Sequence, residues 1–236
     1  MTNKSYGMIC ALSKGCEAIE PRWTLPILDQ LWSGYSRFND IRRAVGNISP
    51  AVLSKRLSDM EKAGLIERLE DRAKGTVDYV RTQKAIELEP VMNALAFWAQ
   101  RNIDAEVALG NSALSTHMWH FSRNLKTTDF PQRRVILRFH FADEAGPYPT
   151  YWFVVEPGRS IEMCVVVPDF DIDLYVETSN ASLLAIGMGR STVARETDAG
   201  RFFATGDPRL VRTLDQWLPR SVYADVEGIR MLPATE

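Results

Sequence analysis

Cysteine is scarce in this 236-residue chain, which has three: Cys10, Cys16 and Cys164. So few thiols make no disulfide framework, and a reducing cytoplasm is the expected compartment. Long hydrophobic runs are missing as well. No window approaches the ~18 uncharged apolar residues that cross a bilayer, so no membrane insertion is expected. The opening Met1-Thr2-Asn3-Lys4 leads into no signal-peptide core. A low-complexity tract and a repeat of roughly 20–50 residues are both absent, which excludes solenoids and arrays. No Ser-His-Asp set or phosphate-cradling loop is evident. The chain therefore reads as a non-enzyme with no catalytic residue, no metal site and no cofactor. Charge of one sign is not in excess either, because the formal net charge of −2 gives no general reason to bind nucleic acid.

What is present is an ordinary soluble composition, 45% hydrophobic and 25% charged, in a chain long enough for two domains. The charge is unevenly divided. Residues 1–105 carry 15 Lys and Arg against 13 Asp and Glu, whereas residues 106–236 carry 13 against 17. The first half is mildly basic, as a local nucleic-acid footprint requires.

The most informative stretch is Ser49-Pro50-Ala51-Val52-Leu53-Ser54-Lys55-Arg56-Leu57. Ser49 suits an N-cap and Pro50 the first helical position, where a missing N–H costs nothing. Leu53, Leu57 and Met60 recur at helical spacing and predict a buried side. Ser54, Lys55, Ser58 and Lys62 are left for an anionic partner. A shorter helix precedes it, with Phe38, Ile41 and Val45 as its apolar side and Gly46-Asn47 as the turn. Two helices in this relation form a helix-turn-helix, whose second helix enters the major groove of duplex DNA. Lys55 and Arg56 are then base or phosphate contacts. Ser49 and Ser54 bond phosphate, and Ala51 and Val52 meet a thymine methyl.

Other helices are predicted over Ile9 to Ile19, broken by Pro21, and from Arg22-Trp23-Thr24 to Gly34, with Thr24 as cap. Leu65 to Leu69 and Val77 to Arg81 read as a hairpin around Asp71-Arg72-Ala73-Lys74-Gly75, a wing whose Arg72 and Lys74 reach phosphate. A long helix is expected from about Thr82 to Asp104, with Leu88, Val91, Leu95 and Trp98 as a stripe too wide for one small domain to cover. A homodimer follows. Beyond Val107-Ala108-Leu109-Gly110-Asn111 a helix over Leu114 to Leu125 precedes strands at 135–141, 151–155, 161–167 and 172–177. Helices near 180–187 and over 208–218 complete an α+β domain with a mostly antiparallel sheet.

Residues 10–104 resemble the HxlR-type winged-helix regulators, relatives of the MarR-like repressors. The matching marks begin with Cys10, twelve residues before Arg22-Trp23-Thr24, and Arg37-Phe38-Asn39-Asp40-Ile41. They continue through Ile48-Ser49-Pro50, Leu53-Ser54, Arg56-Leu57, Glu61 and Gly64-Leu65-Ile66-Glu67-Arg68, and end at Val77-Asp78-Tyr79, Leu88 and Pro90-Val91. Ala11, Arg81 and Ala85 depart from the pattern. The resemblance implies a dimeric DNA-binding regulator whose recognition helix begins at Ser49. Residues 112–227 are similar to the sterol carrier protein type-two fold in the order of elements, in Phe202-Phe203, and in Gly206-Asp207-Pro208 leading to Leu210, Leu214, Trp217 and Leu218. That likeness implies an apolar tunnel for a small lipophilic or aromatic effector. The expected domains are thus 1–108, a winged helix-turn-helix, and 109–236, a sterol-carrier-like ligand-binding domain. The whole reads as a ligand-responsive repressor or activator. A lipid carrier whose winged helix only makes protein contacts is the rival reading.

Among single residues, Trp152, Met188 and Phe202 are expected to line the ligand cavity. Cys10 has two readings, a small buried hydrophobe near a dimer seam or a redox- or electrophile-sensing thiol helped by Lys14. His117 and His120 stand at i, i+3 without a third ligand. Asp169, Asp171 and Asp173 alternate as on one solvated face of a strand, and Gly187-Met188-Gly189 reads as a turn.

Overall fold

The computed structural model describes residues 6, 10–110 and 113–233. Ile9, placed by sequence on the first helix, Asn111, and Met1 to Lys4 lie outside the described residues. The chain divides into two compact units, Met1–Leu95 and Ala96–Glu236.

In the first unit α1 (Ala11–Ile19) starts at Cys10, whose sulfur accepts from the Ser13 N–H at 3.4 Å. Pro21 ends it. α2 (Thr24–Trp32) follows through Trp23, which sits in the left-handed region at φ 82°. Thr24 is therefore the first helical residue and not the cap; its hydroxyl donates to the Pro21 carbonyl at 2.7 Å. α3 (Phe38–Val45) closes at Gly46, where φ 85° requires a residue without Cβ strain. α4 (Pro50–Lys62) begins at the Ser49 cap, whose hydroxyl accepts the Val52 N–H at 3.3 Å. Leu53, Leu57 and Met60 pack with Ile27, Leu28, Ile41 and Ile48 as one buried core. β1 (Ile66–Asp71) and β2 (Thr76–Arg81) pair antiparallel, Ile66 opposite Arg81 and Asp71 opposite Thr76. This is the expected hairpin, each strand one or more residues longer at the tip.

The single long helix expected over 82–104 is two. α5 (Gln83–Ile86), capped by Thr82, is separated from α6 (Glu89–Asn102) because Pro90 has no N–H for the Ile86 carbonyl and its ring crowds that turn. The division between the units falls within α6.

In the second unit the end of α6 and α7 (Ala105–Leu109) pack with later elements, so the compact unit begins earlier than the boundary expected after residue 108. Gln100 is buried and donates to the Met188 and Tyr223 carbonyls at 2.9 and 3.0 Å. After α8 (Leu114–Asn124) come β3 (Val135–Phe141), β4 (Thr150–Val155), β5 (Glu162–Cys164) and β6 (Leu174–Thr178). α9 (Asn180–Gly187), α10 (Val193–Asp198), β7 (Phe202–Gly206), α11 (Pro208–Arg212) and α12 (Leu214–Trp217) complete it. The sheet order is β5-β4-β3-β6-β7, with β3 and β6 parallel and every other pair antiparallel. The unit is α+β, as expected.

Alternation along β3 sends Val135, Leu137, Phe139 and Phe141 into the core with Met118, Phe121, Phe153, Val176, Leu214 and Trp217. Ile136 faces the other way, in a small cluster with Trp152 and Val154. Three elements were not foreseen, α7, α10 and β7. The final helix is broken at Thr213, and the Trp217 indole donates across the break to the Leu210 carbonyl at 3.0 Å. Asp169 and Asp171 precede β6 instead of lying on it. Asp173 is committed to Arg133 at 2.7 Å and to the Ile136 N–H at 2.8 Å. Gly187-Met188-Gly189 does form the end of α9 and its turn. There Gly189, φ 74°, lets the Ala224 backbone approach where a Cβ would lie 2.0 Å from its carbonyl oxygen.

Candidate nucleic-acid interface

The exposed side of α4 is built by exclusion. Once Leu53, Leu57 and Met60 point inward, helical geometry leaves Ala51, Val52, Ser54 and Lys55 outward, and all four are exposed. Ser49 and Pro50 are exposed at its start, so the positively polarised N-terminus also faces outward. Lys55 makes no ion pair among the described residues and keeps its three donors for a partner. Arg56 is placed differently. Its side chain is 20% exposed, it pairs with Asp59 at 3.5 Å, and its Nε is buried without an acceptor. Neighbours in sequence are about 100° apart on a helix, and that step carries Arg56 to the flank.

At the hairpin tip the Asp71 carboxylate accepts from the Ala73 and Lys74 N–H groups at 3.0 and 3.2 Å, and Gly75 takes φ 62°. The turn is thereby fixed with Arg72 and Lys74 exposed. Lys74 also lies 3.4 Å from Asp71, a contact that a phosphate can replace, since surface pairs are weak. The base of the hairpin is joined to the start of α3, where the Tyr79 N–H donates to the Ser36 carbonyl at 2.8 Å and Arg37 lies 3.6 Å from Asp78. The structure adds Arg42 and Arg43, exposed on the last turn of α3. They stand beside Ile41 and Ala44 in the sequence and opposite them on the helix, a signal that periodicity alone could have supplied.

Cys10 is exposed in the protomer. Hydrogen bonds from the Ser13 hydroxyl, 2.9 Å away, and from the Ser13 N–H hold its thiol below the ordinary value. Lys14 does not supply that effect, because its ammonium is engaged by Glu17 at 2.9 Å. The residues expected to share a ligand cavity are not brought together. Trp152 is buried against Ile136 and Val154, Phe202 is buried in the main core, and Met188 is 41% exposed at the end of α9. His117 Nδ1 donates to Asn180 Oδ1 at 2.7 Å, and burial pushes its pKa down to about 4. Among the described residues no helix is long and apolar enough to cross a membrane.

Comparison with known proteins agrees with this geometry. Residues 18–107 match the family described as HxlR-like helix-turn-helix. The uncharacterized HTH-type transcriptional regulator YvaP of Bacillus subtilis (strain 168) is 33% identical over 92 residues, 39% of this chain and 85% of that protein. The uncharacterized HTH-type transcriptional regulator YtfH of Escherichia coli (strain K12) is 28% identical over 101 residues, 42% of this chain and 80% of that one. A solved structure, the reduced form of the transcriptional regulator YodB from B. subtilis, is 26% identical and covers 41% of this chain and 96% of its own, with a TM-score of 0.37. A capped helix with an apolar back and a cationic front, the hairpin that follows it, the family match and the sequence relative YvaP agree: through its first hundred residues the chain belongs to the HxlR-like helix-turn-helix family.

Proposed function

We propose that the protein is a homodimeric, DNA-binding transcriptional regulator whose residues 96–236 form a sterol-carrier-like domain that senses a small lipophilic or aromatic effector. The observation that carries the DNA-binding part is the outward face of α4, with Ser49, Ala51, Val52, Ser54 and Lys55 exposed above a buried Leu53, Leu57 and Met60. Each dimer presents two such helices to half-sites about 34–36 Å apart or a multiple of that spacing. Lys55 reads the groove edge, and Arg72 and Lys74 hold phosphate from the wing. Support for the sensing part is the sheet order β5-β4-β3-β6-β7 with helices over the Phe139 face. The effector regulates only through a difference in its affinity for the DNA-competent and incompetent arrangements.

The test begins with selection of a binding site from random oligonucleotides, followed by anisotropy at several salt concentrations. Lys55→Ala is expected to weaken binding at least tenfold. Arg72→Ala with Lys74→Ala should lower the salt slope by about 2, one for each lost phosphate contact. Failure to recover any defined site from the full chain favours the lipid-carrier reading. A second reading, sensing by thiol, is favoured by the exposed Cys10 and its Ser13 hydrogen bonds. Peroxide that converts the thiol to sulfenic acid, with release of water, should then change DNA affinity in the wild type and leave Cys10→Ser unaffected.

A further inference from the structure

We infer that a cleft on the outer face of the five-stranded sheet binds a small organic cation, a one-ring arylalkyl ammonium with an oxygen at its far end. The inference goes beyond the function proposed above and does not rest on it.

The sheet order obliges the chain between β5 and β6 to cross two strands, β4 and β3. It crosses on the face away from Phe139, because Ile172 packs there with Ile136, Trp152 and Val154. Between this crossing segment and the sheet lies a cleft of about 310 Å³. Ligand pockets run to roughly 300–1,000 Å³, so this one has room for one ring and a short chain. Val154 and Cys164 line it from the strands, Pro168 and Phe170 from the crossing segment. Arg134 steadies that second wall, its guanidinium 4.0 Å from the centre of the Phe170 ring.

The charged side chains that line the cleft leave it anionic. Arg134 and Arg159 both pair with Glu156, whereas Glu162 and Asp169 make no ion pair among the described residues. A carboxylate or phosphate ligand would meet two uncommitted acids, and an ammonium would be held by them. A separate observation describes the other end of the ligand. Trp152 is 7% exposed, shares its side of β4 with Val154 and packs against Cys164, yet its indole Nε1 is buried without an acceptor. Such a donor costs free energy until an acceptor arrives. Strand register sets the spacing of the two ends. Glu162 stands opposite Val154, and Cys164 opposite Trp152, two residues further along β5 and so about 7 Å away. A phenolic oxygen and an ammonium joined through one ring and two methylenes span a similar length.

Titration calorimetry of the full chain with tyramine, phenethylamine, tyrosol and 4-hydroxyphenylacetate tests the site. One saturable tyramine site per chain is expected. Phenethylamine, which lacks the oxygen, should bind roughly threefold to tenfold more weakly, the worth of one hydrogen bond. Neutral tyrosol and anionic 4-hydroxyphenylacetate should be at least tenfold weaker than tyramine. Glu162→Gln with Asp169→Asn should weaken tyramine at least tenfold while circular dichroism stays unchanged. Trp152→Phe should bring tyramine down to the affinity of phenethylamine and leave phenethylamine as it was. Absence of saturation at millimolar tyramine, equal binding of tyrosol, or full binding by the Glu162 and Asp169 double variant overturns the assignment to this cleft. An advantage of tyramine that survives in Trp152→Phe overturns the indole contact. If that variant does not fold, equal affinities of tyramine and phenethylamine for the wild type overturn it instead.

Discussion

Ser49 serves the fold and the partner with the same hydroxyl, and the two roles can be separated. Its oxygen accepts the Val52 N–H at 3.3 Å, closing one of the four open donors at the start of α4. Removing the cap in Ser49→Ala should cost about 1 kcal/mol of stability. Ser49→Asp restores an acceptor of equal capping strength but sets a negative charge at the face read as DNA-binding. Urea unfolding is expected to rank Asp close to Ser and above Ala, whereas operator affinity should rank Ser above Ala and Ala well above Asp. Equal DNA binding by the Asp variant would remove Ser49 from the interface. Arg56 shows where sequence reading stops at this scale. Its charge and its helix were legible, but its largely buried place beside Asp59 depends on which elements pack against that flank of α4, which no local pattern records.

At the scale of elements, α6 holds the clearest unpartnered surface. Val91, Leu95 and Trp98 recur at i, i+4 and i+7 and are 51%, 49% and 56% exposed. Three large apolar residues in one stripe are unusual on a monomer surface. Leu95→Glu with Trp98→Glu should therefore weaken self-association at least tenfold, measured by analytical ultracentrifugation, while the helical signal persists. A double variant that sediments as the wild type sinks the assignment of this stripe to the dimer. The stripe was legible because helical periodicity repeats over three turns. So were α3, α4 and the wing, whose caps, turns and apolar spacing agree. The break at Pro90 was also written in the sequence, but a continuous apolar pattern masked it. α7, α10 and β7 were missed for a different reason. Each is only five or six residues long, and Phe202 turns inward while Phe203 is 61% exposed, a contrast set by pairing with β6 and not by any local run. The ligand trio failed likewise, since strand alternation sends Trp152 to the face of Ile136 while Phe202 joins the core.

For the molecule as a whole, the two units differ in their response to acid. The cores share no residue, one built on Leu57 and its neighbours, the other on Phe139. His117 and Glu196 both lie in Ala96–Glu236. Burial alone would raise the Glu196 carboxyl, but hydrogen bonds from Arg201, Ser191 and Ser182 outweigh it and hold its pKa below the ordinary value. Its contribution is complete above the ordinary carboxylate range and is lost as pH falls below it. His117 acts earlier. Its pKa falls from 6.5 to about 4, chiefly through burial, with the Asn180 bond opposing and nearby His120 assisting. Folded protein keeps this ring neutral while the unfolded chain takes up a proton, so stability is whole above pH 6.5 and declines from there to pH 4. At pH 5 the loss should be roughly 2 kcal/mol, at 1.36 kcal/mol for each unit below 6.5. Scanning calorimetry at pH 7.5 and pH 5 reads it, once Leu57→Ala and Phe139→Ala have each marked its own transition by roughly 2–5 kcal/mol. The Phe139 transition is expected to drop between the two pH values in the wild type and to drop by roughly 2 kcal/mol less in His117→Gln, which keeps a donor for Asn180 and cannot titrate. An equal drop in both proteins would assign the acid sensitivity to other groups.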